Sequence, residues 1–151
     1  MNIVYPGSLA QVVELEQTLR NEIKSENSET EIIQLAESED SSSFYKLSYV
    51  VAEDDGRVIG AATIMTVRDR KDIDDVEEKI CELYKLYVSP SYRRKNVGEE
   101  LFKKSMEEMN SIGFNIMKVQ VMKGSIDFWK KMYDKYPHEG DEFMPVILFC
   151  L

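Results

Sequence analysis

Apolar and polar positions repeat along this chain with two periods, and each change of period marks a new element. Asn2 to Tyr5 is a short apolar opening that reads as a strand, stopped by Pro6-Gly7. Ser8 with Gln11 forms a capping box, in which each side chain satisfies an amide of the other residue. Leu9, Val12, Val13, Leu19 and Ile23 then recur at helical spacing and predict a helix over 9–24. A second capping box, Ser28 with Glu31, precedes the weaker stripe Ile32, Ile33, Leu35 and Ala36. That stripe predicts a short second helix, ended by Ser41 to Ser43.

From residue 44 the period shortens. Residues 44–52 are aromatic and β-branched, a strand composition. Glu53-Asp54-Asp55-Gly56 is turn chemistry, and residues 57–67 read as the return strand of a hairpin. Residues 68–79 are almost wholly charged and read as a loop. Strands follow at 80–88, 114–122 and 143–151, the last with Pro145 best placed near an end or a bulge. Between them the stripe Val97, Leu101, Phe102, Met109 predicts a helix over 97–111, with Gly113 just past its end. A last helix begins at a capping Ser125, carries Ile126, Trp129, Met132/Tyr133 and Tyr136 inward, and stops at Pro137. The order β-α-α-β-β-β-α-β-α-β, with a right-handed parallel crossover over 80–122, makes this a mixed-sheet α/β or α+β chain. At 151 residues one domain, 1–151, is expected.

Composition narrows the partners. The formal net charge is −9, and it is unevenly spread: residues 1–80 carry 8 basic and 18 acidic side chains, residues 81–151 carry 11 and 10. Such a chain repels phosphate backbones and anionic membranes, so neither nucleic acid nor a membrane is an expected partner. No apolar run approaches the length of a membrane span. Cys81 and Cys150 sit in apolar stretches and read as free buried thiols, which fits a reducing, cytoplasmic setting. His138 has no zinc-ligand spacing to either cysteine, so no metal is expected.

The stretch from Val88 to Leu101 carries the chemistry. It joins a strand to a helix N-terminus, where first-turn amides and the helix dipole converge on one point. Arg93, Arg94 and Lys95 precede the helix, and Gly98 lies in its first turn. Such a turn suits a pyrophosphate, with Gly98 admitting a close ligand. Alternatively the basic run is a solvated surface and Gly98 a packing glycine.

This stretch resembles motif A of the GNAT superfamily of acetyl-CoA-dependent N-acyltransferases, whose pattern is Q/R-x-x-G-x-G/A. Here it reads Arg93-Arg94-Lys95-Asn96-Val97-Gly98, and Glu82 to Pro90 is similar to the family's fourth strand and its exit. The resemblance covers nearly the whole element order. It implies a mixed, mostly antiparallel sheet with a central parallel β-α-β crossover and helices on both faces. It also implies acetyl-CoA as cosubstrate, with pantetheine along Leu86, Tyr87 and Val88 and pyrophosphate on Arg93, Arg94, Lys95, Asn96, Val97 and Gly98. Asn96 replaces the first glycine, and Asn is the non-glycine residue most tolerant of left-handed backbone. Trp129 stands where many members carry a proton-donating tyrosine, and an indole N–H does not give up its proton near neutral pH. Tyr133, one helical turn on, is either a substitute acid or a core aromatic.

Glu82 is the candidate base, since an ammonium acceptor must lose a proton before it attacks a thioester. The other reading is a strand carboxylate facing solvent. Strand alternation puts Tyr84 on the same face, and the backbone N–H near Tyr87 or Val88 is the natural donor to the thioester oxygen. The resemblance sets the acidic loop beside the acceptor. There Asp69, Asp72, Asp74, Asp75, Glu77 and Glu78 either steer a cationic amine or simply keep the chain soluble. The expected activity is acetyl transfer to a primary amine, small or peptidic, with a homodimer possible. The alternative is a catalytically impaired module that only binds acyl-CoA.

Overall fold

The computed structural model describes residues 1–25, 45–67 and 79–151. The second capping box with its stripe, and the acidic loop with its six carboxylates, lie outside them. The elements run β1 (Asn2–Val4), α1 (Leu9–Ser25), β2 (Tyr45–Asp54), β3 (Arg57–Val67), β4 (Ile80–Val88), α2 (Val97–Ser111), β5 (Ile116–Gln120), α3 (Ile126–Lys135) and β6 (Val146–Cys150). Short 3-10 turns at Pro90–Tyr92 and Lys123–Ser125 precede α2 and α3.

The helix starts follow from their caps. At α1 the Gln11 amide donates to Ser8 Oγ at 3.2 Å and the Ser8 amide to Gln11 Oε1 at 2.8 Å, so the capping box forms as read. At α3 it does not: the Ser125 hydroxyl donates to the Met122 carbonyl at 3.0 Å and leaves the helix amides alone. Gly56 and Asp55 both take positive φ in the β2–β3 turn, as its composition required. Pro145 falls just before β6, where its carbonyl accepts the Val121 amide at 2.7 Å.

The six strands lie side by side in chain order, β1 to β6. Every neighbouring pair is antiparallel except β4 with β5, which α2 connects. The expected class and its parallel crossover are therefore present. Two apolar layers hold the sheet. On one face Val12, Leu15 and Leu19 of α1 pack on Tyr49, Val51, Val58 and Ala61. On the other, Val97, Leu101, Phe102 and Met109 of α2 and Trp129 and Met132 of α3 pack on Ile64, Leu83, Met117, Val119, Ile147 and Phe149. Phe102 anchors this second layer, edge-on to Trp129, Tyr136 and Phe149 at 5.3, 5.4 and 4.8 Å. Among the described residues no helix is long and apolar enough to cross a membrane, and no three or more His, Cys, Asp and Glu gather to hold a metal ion.

Candidate active site

The sheet opens at its one parallel pair. β4 and β5 pair from Ile80↔Ile116 to Leu83↔Val119, and there the pairing ends. β4 runs on through Tyr84, Lys85, Leu86, Tyr87 and Val88 beside β3 alone. Its far edge thus presents backbone donors and acceptors to a gap. The gap coincides with a β-bulge. Ile64 pairs with Leu83 and Thr63 with Lys85, which leaves Tyr84 as the extra residue. The bulge turns Leu86 and Val88 to the same core as Cys81 and Leu83, while Tyr87 packs toward α1. Only the backbone of Leu86 and Val88 is therefore offered to the gap.

Beyond Val88 the chain is tied down at both sides. Ser89 is buried, its amide donates to the Ile59 carbonyl at 2.7 Å, and its hydroxyl donates to Glu22 of α1 at 3.1 Å. Arg93 reaches back, its Nε donating to the Val88 carbonyl at 3.2 Å. The turn into α2 then uses two left-handed residues, Arg94 (φ 64°) and Asn96 (φ 63°, ψ 12°). Asn96 adopts the geometry that the glycine of the GNAT pattern would supply, so the substitution keeps the loop. It makes no side-chain capping bond; the Glu100 amide donates to its carbonyl at 3.0 Å, and the amides of Val97, Gly98 and Glu99 before it receive no bond from a capping side chain. Arg93, Arg94, Lys95 and Asn96 are all exposed around that point, with Lys95 Nζ 5.3 Å from the centre of the Tyr92 ring.

Val97 and Gly98 contribute backbone only. The Val97 side chain is in the core, and a Cβ on Gly98 would meet the Phe128 ring at 3.1 Å. Gly98 is thus needed for the packing of α3 against the first turn of α2. Two carboxylates in that turn would repel an anion, but each is countered. Glu100 lies 3.6 Å from Lys103 Nζ. Glu99 binds the Lys135 ammonium and accepts the Tyr136 hydroxyl at 2.7 Å. These bonds, Lys135 first, hold the Glu99 carboxyl below the usual range. Burial, then the Glu99 carboxylate, pushes the Tyr136 phenol up. The residues fit a pyrophosphate: an uncapped helix start, exposed cations and neutralised acids.

The two candidate catalytic residues stand apart. Glu82 is half-buried and points away from Cys81 and Leu83, onto the face that carries α1. Tyr133 belongs to α3 on the opposite face, stacked on His138 at 3.6 Å and edge-on to Phe143 at 5.6 Å. Its hydroxyl is buried and has no hydrogen-bond partner among the described residues. The structure shows no contact joining the two. Trp129 is 4% exposed inside the aromatic layer. Cys81 neighbours Glu82 but faces the core, where burial pushes its thiol up to about 12. Two features were missed in the sequence. Tyr136 reads there as one more apolar position, and Lys118, the β5 register partner of Glu82, carries no local signal at all.

A six-stranded mixed sheet that parts at its one parallel pair, with an open helix start beyond the parting, defines an α/β protein with a groove through its sheet. Residues 9–133 match the model of the Acetyltransferase (GNAT) family, and the chain belongs to that family. It is 29% identical over 103 residues to the uncharacterized N-acetyltransferase YjgM of Escherichia coli (strain K12), covering 68% of this chain and 56% of that protein. The chain thus spans little more than half the length of that curated relative. Among solved structures it resembles the aminoglycoside N-acetyltransferase AAC(6')-Iy in complex with CoA (TM-score 0.56, 16% identity, 95% of this chain and 94% of that one). It also resembles a ribosomal-protein-alanine N-acetyltransferase from Brucella melitensis (TM-score 0.57, 16% identity, 99% and 97%). At that identity the likeness is one of fold, and the two acceptors differ, so the fold leaves the acceptor open.

Proposed function

We propose that this chain is an N-acetyltransferase that moves an acetyl group from acetyl-CoA to a primary amine by direct attack in a ternary complex. The observation that carries the reading is the end of β4–β5 pairing at Leu83↔Val119, on the strand that leads through Val88 and a short turn to an uncapped helix start ringed by Arg93, Arg94, Lys95 and Asn96. When bound, acetyl-CoA supplies the activated acetyl group. The free edge of Leu86, Tyr87 and Val88 would hydrogen-bond its pantetheine arm, and the backbone from Arg94 to Gly98 would hold its pyrophosphate. Glu82 takes a proton from the arriving ammonium, since only the neutral amine is nucleophilic. An amide near Tyr87 or Val88 stabilises charge on the thioester oxygen. Tyr133, with an unpartnered hydroxyl, is the available proton donor to the leaving sulfur. Cys81 is no covalent relay, because it faces the core and its thiol is held up to about 12.

The second reading, an acyl-CoA-binding module without turnover, draws on Trp129, whose burial in the aromatic layer supplies no acid. Thiol release from acetyl-CoA across an amine panel, with mass spectrometry of the products, separates the two. An acetylated product establishes the enzyme. A raised melting temperature with CoA and no product establishes the module. Failure to bind CoA rejects both.

A further inference from the structure

One row of side chains crosses four strands at the mouth of the gap. Register places Met65 of β3 beside Glu82 of β4, Glu82 beside Lys118 of β5, and Lys118 beside Leu148 of β6. Their chain neighbours Ile64, Cys81, Leu83, Met117, Val119, Ile147 and Phe149 all enter the α2–α3 core. All four row residues therefore face the other way. The next parallel pair, Leu83↔Val119, is the last before the strands part.

The middle of this row is a carboxylate and an ammonium, both half-buried. Among the described residues neither forms an ion pair or a side-chain hydrogen bond, with the other or with anything else. Neighbouring strands lie about 4.8 Å apart. The two residues thus stand side by side in register, on one face and without an ion pair between them, beside the parting where an acceptor amine would enter if the transfer reading holds. A polycation gains from Glu82 but is repelled by Lys118, and an anion meets the reverse. A molecule with an ammonium and a carboxylate on one carbon satisfies both at that spacing, while Met65 and Leu148 flank it with apolar surface.

We propose that the acceptor is a free α-amino acid, its ammonium on Glu82 and its carboxylate on Lys118, so that Lys118 determines specificity. The inference rests on the transfer reading above. The ammonium gives one proton to Glu82, and the nitrogen then bonds to the acetyl carbon as the carbon–sulfur bond breaks. Nitrogen loses a second proton, sulfur takes up one, and the products are N-acetyl amino acid, CoA thiol and one net proton.

The test pairs each common α-amino acid with the amine left by its decarboxylation. Thiol release gives kcat/KM, and calorimetry in the presence of CoA gives binding. The wild type is expected to favour at least one amino acid over its paired amine by about tenfold or more, the worth of one charged contact. Lys118→Met should erase that preference and Lys118→Glu reverse it. A wild-type preference for the decarboxylated member of every pair, an equal loss on both members in Lys118→Met, or binding of neither member overturns the proposal. Amino-acid binding that depends on Lys118 without thiol release supports the amino-acid site and overturns its role as acceptor together with the transfer reading. Thiol release with amines alone does the opposite.

Discussion

Tyr136, just past the end of α3, donates its hydroxyl to Glu99 in the first turn of α2 at 2.7 Å, and Lys135 closes on the same carboxylate. The bond fixes the helix start that would hold pyrophosphate. Tyr136→Phe should cost about 1.5–3 kcal/mol, the range for a hydrogen bond to a charged group. Chemical denaturation reads it. The pH dependence has two signs. The Glu99 carboxyl is lowered, so its contribution is present at neutral pH and is lost as pH falls below the ordinary carboxylate range. The Tyr136 phenol is raised, so its contribution is complete below about pH 10 and declines as pH rises beyond it. Tyr136→Phe should flatten the alkaline decline in a melting-temperature profile; an unchanged alkaline limb would assign it to other groups.

Glu82→Gln keeps the shape and removes the carboxylate. On the transfer reading kcat should fall by about 10²–10⁴-fold while CoA affinity holds, because the pyrophosphate turn is untouched. Steady-state kinetics alongside CoA calorimetry checks both halves. A parallel loss of CoA binding would mean that Glu82 supports the groove and not the proton transfer.

Asn96 holds φ at 63°. Asn96→Gly should leave stability within about 0.5 kcal/mol, and Asn96→Val should cost about 1–2 kcal/mol because a branched residue resists left-handed backbone. Valine should also weaken CoA binding. Equal stability of the two variants in urea would show that the turn re-forms without the left-handed residue.

Gly98→Ala sets a methyl against Phe128 at 3.1 Å. Overpacking of this kind costs about 1–3 kcal/mol. Adding Phe128→Leu to Gly98→Ala should recover part of the loss, a non-additivity that a double-mutant cycle reads directly.

The two thiols should report burial separately. Cys150 is exposed and Cys81 buried with its thiol pushed up to about 12. A disulfide reagent should titrate one thiol quickly in the native protein and the second only on unfolding.

Much of the scaffold was legible because local chemistry and tertiary role agree. Residues 57–67, 80–88 and 97–111 form the strands and helix that their periods describe. The Asn96 turn was legible too, since left-handed tolerance belongs to the residue itself. What escaped depends on pairing across the sheet. Nothing in Glu82-Leu83-Tyr84-Lys85 announces a bulge, because it arises only when Ile64 and Thr63 take Leu83 and Lys85 as partners. Lys118 is silent for the same reason: only the parallel register sets it beside Glu82. Tyr136 read as apolar because helical spacing weighs its ring and ignores its hydroxyl.

The bulge at Tyr84 gives β4 a change of phase within a single strand. Glu82 and Leu86, an even number of residues apart, belong to one side in any regular strand, yet here one looks toward the face that carries α1 and the other into the α2–α3 core. Deleting Tyr84 would leave Glu82 and Leu86 three positions apart, so each would keep its side in a regular strand. Flattening the bulge with Tyr84 still in place would instead drive Glu82 under α2 and α3, or turn Leu86 and Val88 out beneath α1. Chemistry and packing share this strand only because one residue is spare.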